Sequence, residues 1–281
     1  MKKNAILSTC VLLLTTLLFS CQKETSRNMS EHTKEKIPDE YLNTFNLLKN
    51  EKGIPAASIS YEAQTKEFIA GDMVFTAALY NNIMYTQQHP KTEQQWNNVF
   101  VSYASSQHIL YYLDPSLFPY YYFGPLEWAV WYWNGSSPNI SFTRTGDRSA
   151  ANLIVDSYND PTDSSWIRTT LPAGNGNVGN RIRLNLGVNE RNHYVNHITS
   201  SNEEKLLLMM HALGHTLGYL HADQYAGLLI PGTPDPAFHQ ANACGSVMRS
   251  VTYVCGWGYD GIKRWSPSDI TAIQWGYRYK Y

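Results

Sequence analysis

Three histidines with a fixed spacing constrain this chain more than any other feature. They form the pattern His-x-x-x-His-x-x-Gly-x-x-His at His211, His215, Gly218 and His221. Residues at i and i+4 of a helix share one face, so two imidazoles can reach one metal ion from a single rigid element. Glycine tolerates positive φ, so Gly218 lets the chain leave the helix and bring in the third imidazole. The spacing predicts a Zn²⁺ site with three nitrogen ligands and an open fourth position.

The sequence also clearly indicates the helix that carries the first two histidines. Ser201 is followed three residues later by Glu204, which is the pattern of a capping box. The apolar run Leu206–Met210 then leads directly into His211. We therefore expect a long, largely buried helix that ends near Gly218.

The remaining elements are predicted from hydrophobic periodicity and from Gly and Pro stop signals. Strands are expected at Ala57–Tyr61, Glu67–Phe75, His108–Leu113, Ile140–Thr143, Asn152–Val155 and Arg181–Leu186. Helices are expected from Pro38 to near Gly53, over Leu126–Trp133, and from the Ser266-Pro267 cap to about Trp275. The segment Ala173–Asn180 is rich in Gly and Asn and predicts a loop.

The first 21 residues are typical of a targeting segment. Lys2 and Lys3 precede the apolar stretch Ala5–Phe19, and the stretch ends in a box that resembles the bacterial lipoprotein signal, with Cys21 as the lipidated residue. An ordinary signal peptide that contains a cysteine is the alternative. The lipoprotein interpretation predicts an exported protein, lipid-anchored at the bacterial cell envelope (outer membrane or cell surface). Residues 22–36 are rich in Lys, Glu, Ser and Thr and are expected to form a flexible tether. The pattern of predicted elements then indicates a small N-terminal element over 37–96 (a possible pro-segment) and the main domain over 97–281.

Export would place the chain in an oxidising compartment, where cysteines pair. Once Cys21 carries the lipid, Cys244 and Cys255 remain in the mature chain, and a short-loop disulfide between them is expected. Two free thiols are the alternative.

The charge balance narrows the class of partner. The formal net charge is −1 and no basic stripe is present, so we expect no nucleic-acid partner. Apart from the first segment, no stretch is long and apolar enough to cross a membrane, so membrane contact is expected only through the lipid anchor.

The histidine spacing resembles that of the metzincin zinc peptidases. Members of that clan have a Met-turn beneath the metal, and Ser246-Val247-Met248 resembles it, with Met248 as the methionine. The chain is similar to the bacterial dual-action HEIGH metallopeptidases at five places: the histidine motif, His221-Ala222-Asp223, the connector Ile230–Pro234, Tyr112–Leu117 and Ala70–Val74.

This resemblance implies an α+β, metzincin-like two-subdomain zinc peptidase domain. A twisted mixed sheet and the active-site helix would form one part, and a smaller C-terminal subdomain with the Met-turn the other. The implied activity is that of a zinc-dependent endopeptidase, in which zinc-activated water hydrolyses peptide bonds and the partner is a peptide or protein substrate or ligand.

One departure from the family pattern matters for activity. The family has Glu directly after the first histidine as general base, and this chain has Ala212. Such a group contributes typically about 10²–10⁴-fold. Glu203 and Glu204 lie about two turns back along the helix, too far to replace it. Asp223 is a candidate partner for the third ligand or a solvated carboxylate, and Tyr253 is a candidate oxyanion donor.

Three interpretations of Ala212 stay open. The chain is a zinc peptidase by descent that is impaired or inactive, a pseudoenzyme that keeps its peptide-binding cleft. It is alternatively an active peptidase in which the Glu was replaced deliberately. It is otherwise a catalytically dead zinc-binding surface lipoprotein that binds peptides or glycans through a cleft rich in aromatic residues, since the chain has 20 Tyr and 8 Trp.

Overall fold

The structure is a computed structural model of the full chain. It describes residues 35–51, 54–77, 95–96, 99, 101–190, 201–222, 228–230, 232–233, 246–249 and 265–277. The predicted signal segment with Cys21, the Cys244–Cys255 disulfide, Asp223 and Tyr253 lie outside these residues. In the part that is described, no helix has the length and apolar character needed to span a membrane.

The architecture is α+β, with an eight-stranded mixed sheet in the order β1-β2-β3-β8-β9-β7-β5-β6. Its strands are β1 Ile59–Glu62, β2 Glu67–Ala70, β3 Met73–Thr76, β5 Ile109–Leu113, β6 Phe142–Arg144, β7 Leu153–Tyr158, β8 Ile167–Thr170 and β9 Arg181–Asn185. Strands β6, β5, β7 and β9 are parallel, and β8 runs antiparallel to β9. The short strands β10 Tyr219–Leu220, β4 Gln95–Trp96 and β11 Leu228–Leu229 form a second, three-stranded sheet.

Six α-helices are present among the described residues, and two of them build the core beside the sheet. The helices are α1 Leu42–Asn46, α2 Tyr103–Ser106, α3 Phe123–Ser136, α4 Leu186–Glu190, α5 Asn202–Thr216 and α6 Pro267–Tyr277. Helices α3 and α5 share one apolar cluster with β5, β7 and β9. Trp133 of α3 is 1% exposed, and its Nε1 donates a hydrogen bond of 2.9 Å to the Met210 carbonyl of α5. This packing holds the histidine helix against the sheet.

Most predicted elements are confirmed, with shifted ends. Helices α3, α5 and α6 lie where they are expected, and residues 173–180 contain no regular structure. The predicted strand Glu67–Phe75 is wrong as one piece. It is a hairpin of β2 and β3, because Gly71 adopts a φ of 65° and turns the chain back at Gly71-Asp72. Strand β8 was not predicted.

The N-terminal strands continue the main sheet. Strand β3 pairs in parallel with β8, in the register Met73 with Thr169 and Val74 with Thr170. The Thr169 amide donates a hydrogen bond of 2.7 Å to the Asp72 carbonyl, just before β3 begins. Strands from both sides of the predicted boundary at residue 97 therefore belong to one sheet.

A buried ion pair links the β2–β3 hairpin to strand β9. Arg183 Nη2 lies 2.9 Å from Glu67 Oε2, and the two side chains are 8% and 16% exposed. Removing one partner of a buried pair leaves an uncompensated charge, which costs about 3–5 kcal/mol. We expect Glu67→Gln to lower the free energy of unfolding by about 3 kcal/mol, the low end of that range, because Glu62 lies 4.0 Å from Arg183 and compensates in part.

Equilibrium urea denaturation measures this loss. The matched control is Arg148→Gln, since the Arg148 side chain is 46% exposed and its partner Asp156 keeps Arg181. An exposed pair contributes about 0–1 kcal/mol. Equal, small losses in both variants would show that the Glu67–Arg183 pair does not hold the hairpin in place.

Candidate metal centre

Helix α5 positions two of the three predicted ligands. The Ser201 hydroxyl accepts a hydrogen bond of 3.1 Å from the Glu204 amide, and the Glu204 carboxylate accepts one of 2.6 Å from the Ser201 amide. The predicted capping box is confirmed. The helix ends at Thr216, and Gly218 with a φ of 101° turns the chain towards β10, after which His221 follows.

The structure brings the three histidines together. His211, His215 and His221 are 1%, 0% and 2% exposed. The Nε2 atoms of His215 and His221 are 3.2 Å apart, and the ring centroids of all three pairs lie between 4.4 and 5.2 Å apart. The i, i+4 spacing and the turn at Gly218 thus produce the convergence that the sequence predicts.

Backbone carbonyls orient two of the rings. His211 Nδ1 donates to the Val247 carbonyl at 2.8 Å, and His215 Nδ1 donates to the Tyr219 carbonyl at 2.7 Å. A carbonyl can only accept, so each Nδ1 carries a proton, and in the neutral form of each ring the Nε2 atom has the lone pair that can bind a metal ion. This is the arrangement that ligating histidines usually adopt.

The structure adds a fourth group that the sequence reasoning missed. Asp72, in the β2–β3 turn, places Oδ2 2.8 Å from His211 Nε2 and 3.8 Å from His215 Nε2, and Oδ1 2.9 Å from His221 Nε2. One donor atom from each of the four residues lies within 4.8 Å of the others. Asp72 is the one carboxylate in this group among the described residues.

Burial keeps His215 neutral, and the neighbouring imidazoles keep Asp72 ionised. Burial, together with the nearby His211, lowers the pKa of His215 to about 4, so its ring is neutral at pH 7. Burial by itself would raise the pKa of Asp72, but the charges of His221 and His211 and the hydrogen bonds from His211 and His215 hold it well below its usual value. Asp72 is therefore ionised.

The residues present fit a zinc ion. Zinc takes nitrogen at about 2.0–2.1 Å in tetrahedral geometry, which puts neighbouring donors about 3.3 Å apart. The His215–His221 separation of 3.2 Å matches this, and the Asp72 oxygens lie slightly closer to their nitrogens. Asp72 Oδ1 is also buried without a hydrogen-bond donor among the described residues, although His221 Nε2 is near it. A buried carboxylate oxygen without a hydrogen-bond donor, surrounded by three imidazoles, is a group that a cation would satisfy.

The segment expected to be a Met-turn lies beside the histidines. Residues 246–249 include a turn, and the Met248 carbonyl accepts a hydrogen bond of 2.6 Å from the Ala222 amide, next to His221. The Met248 sulfur packs on Gly214 of α5 so closely that a Cβ there would collide with it. The turn therefore contacts the helix and the segment that together carry all three histidines.

The position after His211, where the family that the sequence resembles has its general base, is completely buried. Ala212 is 0% exposed and has no group that can take or give a proton. Glu203 and Glu204 are exposed at the start of α5, where Glu204 is engaged in the cap. No replacement base is present among the residues that the structure describes, other than the Asp72 carboxylate itself.

A weak signal for Asp72 was present in the sequence. Gly-Asp inside an apolar run favours a turn, and a turn would have exposed the aspartate at a strand end. Nothing in the local pattern, however, connects that turn with a helix 139 residues later in the chain.

Comparisons with known proteins give limited help. No protein-family model matches the sequence, and no curated protein matches it. Two solved structures of myroilysin match part of this chain. The first has a TM-score of 0.38 and 12% sequence identity, and the match covers 63% of this chain and 86% of the myroilysin chain. The second has a TM-score of 0.37 and 11% sequence identity, and the match covers 68% of this chain and 92% of the myroilysin chain. Because these TM-scores and identities are low, the matches indicate no function for this chain. Any inference about function has to come from the residues of the site.

Proposed function

We propose that this chain is a zinc protein of the metallopeptidase type, with His211, His215 and His221 as ligands of one Zn²⁺. The observation that carries the proposal is the convergence of three buried imidazole Nε2 atoms on one point, with two rings oriented by backbone carbonyls. The metzincin-like arrangement, with the Met-turn beneath the metal, is part of the same proposal.

The ligand set decides which chemistry is available. Zinc held by three neutral nitrogens can polarise a carbonyl group and lower the pKa of bound water to about 7. The three histidines would hold the metal, but Ala212 cannot move a proton between water and a leaving amine. We therefore infer that hydrolysis of peptide bonds by this chain is strongly impaired.

Asp72 supports a second feature of the proposal, namely that the centre is closed. A catalytic zinc site keeps one position open, whereas four protein ligands make a closed site. Asp72 contributes the fourth donor from the N-terminal hairpin, and its carbonyl is fixed by the hydrogen bond to Thr169 of β8. We infer that the hairpin blocks the centre, as the predicted pro-segment role of residues 37–96 would require.

A catalytically silent zinc-binding protein is the second candidate function. The observation that favours it is the combination of Ala212 with the closure by Asp72, since each by itself would suppress hydrolysis. Binding of peptides or glycans by such a protein, and its anchoring at the envelope through Cys21, stay predictions from the sequence.

Metal content tests the proposal. We expect one zinc per chain when the protein is prepared without chelators, measured by inductively coupled plasma mass spectrometry. His215→Ala removes a buried ligand and should lower the zinc content to well under half. His108→Ala is the matched control, since His108 is exposed and lies outside the site, and should keep the full zinc content. A folded parent chain without zinc would overturn the proposed function.

A further inference from the structure

Asp269 connects the C-terminal helix to the turn beside the histidines. It lies in the first turn of α6 and is 2% exposed. Its Oδ1 accepts a hydrogen bond of 2.7 Å from the Ser246 hydroxyl, and its Oδ2 accepts one of 3.1 Å from the Val247 amide. Oδ2 also accepts a hydrogen bond of 2.9 Å from the Ser266 amide at the start of α6. One buried carboxylate thus joins two segments of the chain.

The turn that Asp269 holds contacts the segments that carry the predicted metal ligands. The Val247 carbonyl accepts the Nδ1 proton of His211 at 2.8 Å. The next carbonyl, that of Met248, accepts a hydrogen bond of 2.6 Å from Ala222, the residue after His221. The Ser246 hydroxyl in addition accepts a hydrogen bond of 3.0 Å from the Met248 amide, which closes the turn. A shift of this turn would therefore move the acceptor of His211 and the segment behind His221 together.

We propose that Asp269 is a positioning residue of the metal centre, a role that rests on the proposed function. By holding Ser246 and Val247, it fixes the carbonyl that sets the tautomer and the orientation of His211. It does so without touching the metal. Partners that orient a ligating histidine typically change metal affinity about 10–100-fold when they are removed.

A purely structural role of Asp269 makes a different prediction. The Ser266 hydroxyl accepts a hydrogen bond of 3.0 Å from the Asp269 amide, so the two residues form a reciprocal cap at the start of α6. If Asp269 only caps the helix, its replacement and the loss of the Ser266 hydroxyl should have the same consequences. Both would lower the melting temperature, and neither would change the binding of metal.

The experiment compares three folded, full-length variants with the parent chain in a zinc competition titration against a chromophoric chelator. Asp269→Asn keeps the size of the side chain but puts an amide NH₂ against one of the donors. We expect it to weaken zinc binding about 10–100-fold and to shift the visible absorption bands of the cobalt-substituted protein. Ser266→Ala breaks the cap alone and should leave zinc affinity within about twofold of the parent.

Ser246→Ala keeps the test decisive if Asp269→Asn does not fold. It removes one donor to Asp269 and the acceptor of the Met248 amide, and we expect a weakening of zinc binding in the same direction but smaller. Unchanged zinc affinity in the folded turn variants would overturn the positioning role while leaving the proposed function standing. A parent chain that binds no zinc would overturn both.

Discussion

A chain that carries both Ala212→Glu and Asp72→Ala is expected to hydrolyse casein about 10²–10⁴-fold faster than the parent chain, the range of a general acid–base group. The first change supplies the carboxylate that the histidine motif lacks. The second removes the carboxylate that lies within 2.8–2.9 Å of two histidine nitrogens and that we propose as the fourth ligand. Both changes are required because each deficiency is sufficient to suppress hydrolysis.

The single variants distinguish the two deficiencies. The hydrolysis rate of Ala212→Glu should stay close to that of the parent chain, because Asp72 still takes the fourth position. The rate of Asp72→Ala should also stay close to that of the parent chain, because no base is present. Asp39→Ala in the Ala212→Glu background is the matched control, since Asp39 is an exposed carboxylate of the same N-terminal region. A gelatin gel or a fluorogenic peptide measures the rates, with and without 1,10-phenanthroline.

Each deviation from this pattern has a definite meaning. If Ala212→Glu alone is as active as the double variant, Asp72 does not close the centre. If the double variant binds zinc and cleaves nothing, the peptidase-type proposal is overturned and the silent zinc-binding function is favoured.

Removal of zinc is expected to lower the melting temperature of the parent chain by about 5–16 °C. A ligand present at 100–1,000 times its dissociation constant stabilises the native state by about 2.7–4.1 kcal/mol, and 1 kcal/mol shifts the melting temperature of a chain of this size by about 2–4 °C. The metal would join the β2–β3 turn, helix α5 and the segment at His221, which are far apart in sequence, because each supplies a candidate ligand.

Differential scanning calorimetry before and after dialysis against EDTA measures the shift. In His215→Ala, which lacks a ligand, EDTA should have almost no effect, whereas His108→Ala should respond as the parent does. A shift below about 1 °C in the zinc-loaded parent would mean that the metal does not join these segments.

The elements with local signals were predictable. Helix α5 was identified from Ser201, Glu204 and the apolar run after them, and α6 from the cap at Ser266, because capping and periodicity act between residues a few positions apart. The β2–β3 hairpin was not predictable in the same way, because Glu67–Phe75 has the pattern of a single strand unless Gly71 is taken as a turn. Strand β8 was missed for a related reason, since its four residues are defined by pairing with β3 and β9.

The same distinction between local and long-range signals applies to the candidate site. The i, i+4 pair His211 and His215 and the exit at Gly218 belong to one short segment, so the amino-acid pattern is sufficient to predict that three imidazoles can share a metal. It also shows Ala212 at the position where the family that it resembles has its general base. The contact of Asp72 with His211, 139 residues away, and the hydrogen bond from the Val247 amide to Asp269 became visible only in the folded chain. Contacts of that range follow from sheet pairing and core packing, which bring together residues whose local sequences contain no information about each other.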